Sequence, residues 1–307
     1  MLLQTIGQQL VNGLTLGGMY ALIALGYTLV YGILLMINFA HSEMFMGGAF
    51  AGLFIFNFLG RYEFFTSGGI GLVLLFALTF LGAGIVIGIL GVLIERIAYR
   101  PLRNAPRLAP LISAIGMSIF LQQAVLLWIT ARAVPFPNYV PVGGLSLGGI
   151  TISNIQIFII LTSLVLLAVL DTWVSKTRMG RAMRAVAQDR EAATLMGVDI
   201  NRIIAVVFFV GPALGALAGI FNGIYYGSIK FDMGFIPGIK SFTAAVIGGI
   251  GNLRGAMLGG FLLGIIESLA AGFLSSGYKD VIAFAILILV LVFRPGGLLG
   301  ESVVEKV

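Results

Sequence analysis

Long apolar runs dominate the chain, and its charges fall between them. No Lys, Arg, Asp or Glu precedes Glu43, and further uncharged runs occupy 44–60, 64–94, 108–131, 133–170, 203–229, 241–253, 255–266 and 281–293. As a helix the first 42 residues would measure about 63 Å, roughly twice the hydrocarbon thickness of a bilayer. That stretch predicts one crossing with a short or broken helix, or two tight crossings. Pro135, Pro137, Pro141 and Gly143-Gly144 interrupt the run that begins at 133, so only about 152–170 should span. Glu267 interrupts a pattern that otherwise reads on as helix to about 275. The pattern predicts eight or nine membrane segments, with 239–253 short enough to be half-inserted. Period-two alternation is absent, which argues against a barrel. The expected fold is all-α, a polytopic membrane helical bundle forming a single domain over 1–307.

Composition strengthens this picture. Of 307 residues, 59% are hydrophobic and 10% are charged, whereas soluble domains carry about 25% charged side chains. A soluble fold of this length could not bury so much apolar surface. The 43 glycines also suit membrane helices. With no cysteine, disulfides, thiolate metal sites and cysteine nucleophiles are excluded. One histidine, His41, excludes multi-histidine metal centres. There is no Gly-Lys dipeptide for a Walker A loop and no HExxH. Neither enzymatic activity nor a cofactor or metal of its own is expected. The uncharged N-terminal stretch has no basic n-region, so no secretory signal peptide is expected.

The net charge of +6 would suggest nucleic acid in a soluble protein, but its placement speaks of topology and no nucleic-acid partner is expected. Segment 95–107 holds Arg96, Arg100, Arg103 and Arg107, and segment 175–202 holds Lys176, Arg178, Arg181, Arg184, Arg190 and Arg202. These are ten of the 18 basic residues, so both segments should be cytoplasmic. The Pro/Gly-rich 132–150 segment then lies outside. Three crossings before Glu95 put the N-terminus outside as well.

Glycine recurs at every fourth position through Gly211, Gly215, Gly219, Gly223 and Gly227, and the spacing returns at Gly251, Gly255 and Gly259 and at Gly260 and Gly264. Such stripes let helix backbones approach closely; plain packing explains this one at least as well as a sliding or pore-lining seam. Asn38, His41 and Glu43 cluster where the first uncharged run ends, and helix capping accounts for them as well as a gate does. Glu267 lies inside a membrane segment, where ionisable groups are costly and often functional. Asn222 sits beside Gly223 in the stripe. Asn38, His41, Glu43, Asn222 and Glu267 are the candidates for a translocation path or gate.

The segment Arg178–Gly197 is alanine-rich, with helical propensity, and ends at a glycine suited to a helix C-cap. Its plain reading is a solvated basic loop. A sharper reading is a docking helix for a groove on a soluble partner. Arg178, Gly180, Arg181, Arg184, Glu191, Ala192, Ala193 and Gly197 are its candidate coupling residues. Glu191-Ala192-Ala193 followed by Gly197 matches the core of the EAA coupling motif of ABC importer permeases.

Longer stretches carry a family resemblance. Gly17-Gly18-Met19-Tyr20-Ala21-Leu22-Ile23-Ala24-Leu25-Gly26-Tyr27-Thr28-Leu29-Val30-Tyr31-Gly32 resembles the opening helix of the high-affinity branched-chain amino acid ABC transporter permeases. Met36-Ile37-Asn38-Phe39-Ala40-His41-Ser42-Glu43 resembles their Asn-Phe-Ala-His-Gly-Glu element, with Ser42 in place of the usual glycine. The stretches 95–103, 242–251 and 304–307 are similar to the same family. The likeness spans nearly the whole chain and is strongest to the H-type subunit of leucine/isoleucine/valine systems. It implies an importer in the bacterial cytoplasmic (inner) membrane, with a second homologous permease, two cytoplasmic ATPase subunits that bind ATP and magnesium, and an extracytoplasmic amino-acid binding protein. Urea and short-amide permeases share much of the pattern. An ion-coupled secondary transporter is the alternative class, but the chain shows no convincing internal repeat and few buried acids for ion coupling.

Overall fold

The structure is a computed structural model that describes residues 2–300 except 104 and 107. Arg107 and the 304–307 motif lie outside the described residues. Among the described residues, eight helices are long and apolar enough to cross a membrane.

The first 42 residues resolve into one long helix, α1 (Leu2–Leu34), and a turn that leads into α2 (His41–Leu59). A single turn, α3 (Glu63–Thr66), precedes α4 (Gly69–Ile94), which continues through a π-turn at Glu95–Tyr99 and a 3₁₀ turn at Arg100–Leu102. Next come α5 (Leu108–Trp128) and α6 (Asn154–Lys176), the latter opened by a capping box between Ser153 and Gln156. Two short helices follow, α7 (Arg178–Gln188) and α8 (Arg190–Leu195), and then α9 (Ile200–Tyr226). The short apolar helix is α10 (Phe235–Gly248), not 239–253, and at about 21 Å it cannot span alone. The chain closes with α11 (Leu253–Phe273), which carries Glu267 without a break, and α12 (Lys279–Phe293).

Two small ribbons supplement the helices. Strand β1 (Val134–Pro135) pairs antiparallel with β4 (Ser228–Ile229), and β2 (Gly144–Leu147) pairs antiparallel with β3 (Ile150–Ser153). The first ribbon ties the Pro-rich segment to the end of α9.

Helix α1 is the axis of the bundle. It packs against α6, α9, α10 and α11, while α5 and α12 expose most of their surface. Glycine permits the tightest of these contacts. A Cβ at Gly13 would stand 2.6 Å from Ile265 Cα, and one at Gly17 would stand 2.7 Å from Phe261 Cα. Across the seam, a Cβ at Gly260 would meet Ala21 Cα at 2.5 Å. No side chain fits there, and the helix backbones touch directly.

The α9 stripe serves several neighbours, not one seam. Gly211 faces Gly26 of α1, Gly215 faces His41 and Met44, Gly219 lies on the Phe45 carbonyl of α2, and Gly223 lies on the Phe136 ring. Gly227 is a correction. Its φ of +70° ends α9 in the left-handed conformation, and its missing side chain would meet nothing within 4 Å.

The two basic segments share one end of the bundle. Arg103 Nη1 donates to Asn201 Oδ1 at 2.7 Å, and Arg103 also pairs with the buried Glu95. Arg254, opening α11, donates to both carboxylate oxygens of Asp171 near the end of α6, at 3.0 and 3.2 Å. At the same end the chain after α12 folds back on α10, where Leu298 and Leu299 N–H donate to the Ile247 and Gly248 carbonyls at 2.8 and 3.0 Å. These bonds satisfy carbonyls that a helix ending inside the protein would leave bare.

Candidate functional site

The basic end carries a built element. Thr177 caps α7, its Oγ1 accepting from Gly180 N at 3.1 Å. Asp189 then breaks the helix and caps α8, its Oδ1 accepting from Glu191 N and Ala192 N at 2.9 and 3.0 Å. The expected single docking helix over Arg178–Gly197 is therefore two helices. Gly197, at φ +82°, ends the second. Gly197 N donates to Thr194 O at 2.9 Å and Val198 N to Ala193 O at 3.0 Å, the bond pair of a Schellman turn.

The arginines of this element hold their own protein. Arg184 donates to the Val174 carbonyl and, at 3.3 Å, to the Ser175 carbonyl, which covers the end of α6. Arg181 reaches the Lys176 carbonyl at 3.4 Å. Arg190 Nε donates to the Ile33 carbonyl in the last turn of α1 at 3.1 Å, and its Nη2 joins the same oxygen. Gly180 is buried where a Cβ would overlap the Val174 backbone. Ala193 is also buried, while Arg178, Glu191 and Ala192 face solvent. Beside them Leu195 and Met196 are 88% and 84% exposed. An apolar tip thus stands on a basic base, fastened to α1 and α6.

The residues around the start of α2 do not form one site. Ala40, not a polar side chain, occupies the α2 N-cap. Asn38 Oδ1 accepts from the Tyr99 hydroxyl at 2.6 Å and so ties the turn to the π-turn after α4. His41 is fully buried, 3.2 Å from the Ile23 carbonyl and edge-on to Tyr27. Buried Glu43 accepts from Ser118 of α5 at 3.1 Å and from Ser42 at 3.3 Å through one oxygen, and its other oxygen has no hydrogen-bond partner among the described residues. The three residues bind α2 to three different neighbours.

Asn222 and Glu267 do meet, in a cavity of about 540 Å³. Helix α9 begins at the basic end, beside Arg103, and its 27 residues cover about 40 Å. The cavity lies around its far end, the start of α10 and the first turn of α12. Six charged side chains line it: Lys230, Asp232, Lys240, Glu267, Lys279 and Asp280. Lys240, almost fully buried, donates from Nζ to Glu267 Oε1 at 2.7 Å and stands 2.5 Å from Asp280 Oδ1. The Tyr20 hydroxyl donates to Glu267 Oε2 at 2.8 Å. Four helices, α1, α10, α11 and α12, thereby meet in one ion cluster. Charges this deep in a membrane bundle persist only when paired.

Sequence reasoning missed Lys240, Asp280 and Tyr20. A usable signal existed. Lys240 heads a short apolar run and Glu267 is the only acid in its span, so each needed an opposite charge from another helix.

A family profile described as "Branched-chain amino acid transport system / permease component" matches residues 9–291. The chain is 48% identical over 305 residues to the high-affinity branched-chain amino acid transport system permease protein BraD of Pseudomonas aeruginosa, covering 98% of this chain and 97% of that one. It is 47% and 46% identical to the LivH permease proteins of Salmonella typhimurium and Escherichia coli, each over 304 residues with the same coverage. No solved structure matches.

Proposed function

The chain belongs to the permease-component family of branched-chain amino acid transport systems, and from that premise we propose that it is one permease subunit of an ATP-driven importer of leucine, isoleucine and valine. It forms half of the translocation path beside a second homologous permease. Two cytoplasmic ATPase subunits, which hold ATP and magnesium, dock on the α7–α8 element. An extracytoplasmic binding protein delivers the amino acid to the far end. The chain supplies no ATPase site, cofactor or metal of its own, and it resides in the bacterial cytoplasmic membrane.

Kinship over 98% of the chain carries this reading. The coupling role draws support from the exposed Ala192, Leu195 and Met196. A partner's groove can take a small apolar knob, and α8 is fastened to α1 through Arg190.

Affinity purification from native membranes should recover a second permease and two ATPases. Leucine uptake should survive an uncoupler and stop with vanadate, while the pure chain hydrolyses no ATP above background. Uptake that collapses with the uncoupler and needs no ATPase would instead assign ion-coupled transport. Uptake of urea or short amides without leucine would move the substrate class.

Sidedness is testable because the chain has no native cysteine. Cysteine placed at exposed Ser175 should react with an impermeant maleimide only after the membrane is opened, whereas one at Gly148, in the far loop, should react from outside. Labelling of the Ser175 variant in intact cells would invert the topology.

A further inference from the structure

The cavity at the far end has a composition that packing does not require. Its charged lining is balanced, three lysines against three acids. Lys240 and Glu267 are each about 3% exposed, but Asp280, on the first turn of α12, is 41% exposed. The two carboxylates also differ in how they are held. Glu267 receives directed hydrogen bonds from both Lys240 and Tyr20. Asp280 meets the ammonium through Oδ1 at 2.5 Å. Glu267 is thus held from two helices inside the bundle, whereas Asp280 sits at the partly exposed rim of the cavity, where a solute can reach it. Against this polar wall stand Leu16, Met19, Phe45 and Met233, which give the same cavity an apolar side.

We propose that this cavity is an α-amino-acid subsite on the path, in which the solute inserts into the Lys240–Asp280 ion pair. The α-carboxylate takes the place of Asp280 against Lys240, the freed Asp280 receives the α-ammonium, and the aliphatic side chain lies on Leu16, Met19, Phe45 and Met233. A zwitterion is the one charge type that enters such a pair and leaves every charge matched. An anion would strand Asp280 and a cation would strand Lys240, and a buried unmatched charge is strongly unfavourable. A volume of about 540 Å³ falls within the range of small-molecule sites. Asn222 and Gln122, also on the wall, offer neutral donors and acceptors to the same head group. The inference rests on the importer reading above and adds where this chain holds the solute.

The test uses the assembled importer in vesicles, with a diazirine analogue of leucine as the probe. Irradiation during ATP-driven turnover should label peptides containing residues 16–20 or 228–240, and excess leucine should suppress the label. Asp280→Asn should lower leucine uptake at least tenfold per assembled complex. The reversed pair, Lys240→Glu with Asp280→Lys, is made together with Glu267→Lys so that position 240 again faces opposite charges on both sides, and it separates a ligand site from a static clamp. It rebuilds the ion cluster with opposite polarity, so assembly should recover while uptake stays at least tenfold down. Wild-type uptake with label only outside the cavity would overturn the subsite and leave the importer reading intact. Uptake restored by the reversed pair would do the same, because only a clamp is indifferent to polarity. If the reversed pair does not assemble, the labelling pattern alone decides. A wild-type complex that takes up no leucine would overturn the importer reading and the subsite with it.

Discussion

Gly197→Val and Ala192→Trp should each abolish uptake while leaving normal amounts of the chain in the membrane. Gly197 sits at φ +82°, a region that a β-branched residue enters only with strain of about 1–3 kcal/mol. The two bonds of its turn, Gly197 N to Thr194 O and Val198 N to Ala193 O, fix where the chain leaves α8 and starts toward α9. Without them the apolar tip of Leu195 and Met196 loses its position. Ala192 is exposed on the same short helix, so tryptophan there changes no internal packing and acts through bulk at the docking face. Neither position belongs to a membrane span, so insertion should be unaffected. Chain level, ATPase co-purification and leucine uptake, measured in one membrane preparation, check this. Normal uptake by both variants would reduce α7–α8 to a solvated topology signal.

Gly219→Leu should fail earlier, at folding. A Cβ at Gly219 would overlap the Phe45 carbonyl oxygen and stand 3.0 Å from Ala49 N. Both are backbone atoms of α2, so no rotamer relieves the clash, and α2 and α9 must separate. Overpacking costs about 1–3 kcal/mol where side chains can shift, and a displaced helix pair belongs at or above the top of that range. Against a total stability of roughly 5–15 kcal/mol, the folded fraction in detergent should fall severalfold and thermal unfolding should come earlier. Gly116→Leu on α5 is the control, because nothing lies within 4 Å of that position. Equal behaviour of the two variants would show that α2 and α9 do not pack in the membrane as described.

Much of the fold is legible in the sequence because a bilayer enforces one rule everywhere, that charges fall between the spans. Charge-free runs therefore locate most of the helices. The short segment near 240 was visible too, although its start was misjudged. Lys240 looked like a boundary, whereas it lies inside α10 facing Glu267. The α7–α8 break was hidden because the alanine-rich run on either side of Asp189 reads on as helix; Asp favours N-caps over helix interiors, but only its bonds to Glu191 N and Ala192 N mark it as one. The stripe was read as one seam because spacing records which residues share a face. It does not record how many helices that face meets. Gly260 and Gly264 repeat the spacing just as plainly, and both of them do meet one neighbour, the backbone of α1. The ion cluster was least accessible of all, since Tyr20, Lys240, Glu267 and Asp280 come from four helices and no local pattern links them.

The glycine crossing of α1 and α11 also sets a mechanical ratio. With Gly17 as fulcrum, Tyr20 lies about 4.5 Å along α1 and Ile33 about 24 Å along it, so the two lever arms differ roughly fivefold. Arg190 grips the long arm at the Ile33 carbonyl, and the Tyr20 hydroxyl rides the short arm at Glu267. A swing of α1 that carries its docking end by about 2 Å moves the root of Tyr20 by only about 0.4 Å, in proportion to the two arms. Such a swing leaves the Tyr20–Glu267 bond intact. Displacement at the basic end therefore reaches the ion cluster about fivefold reduced along α1, and release of Asp280 falls to the helix that carries it, the loosely packed α12.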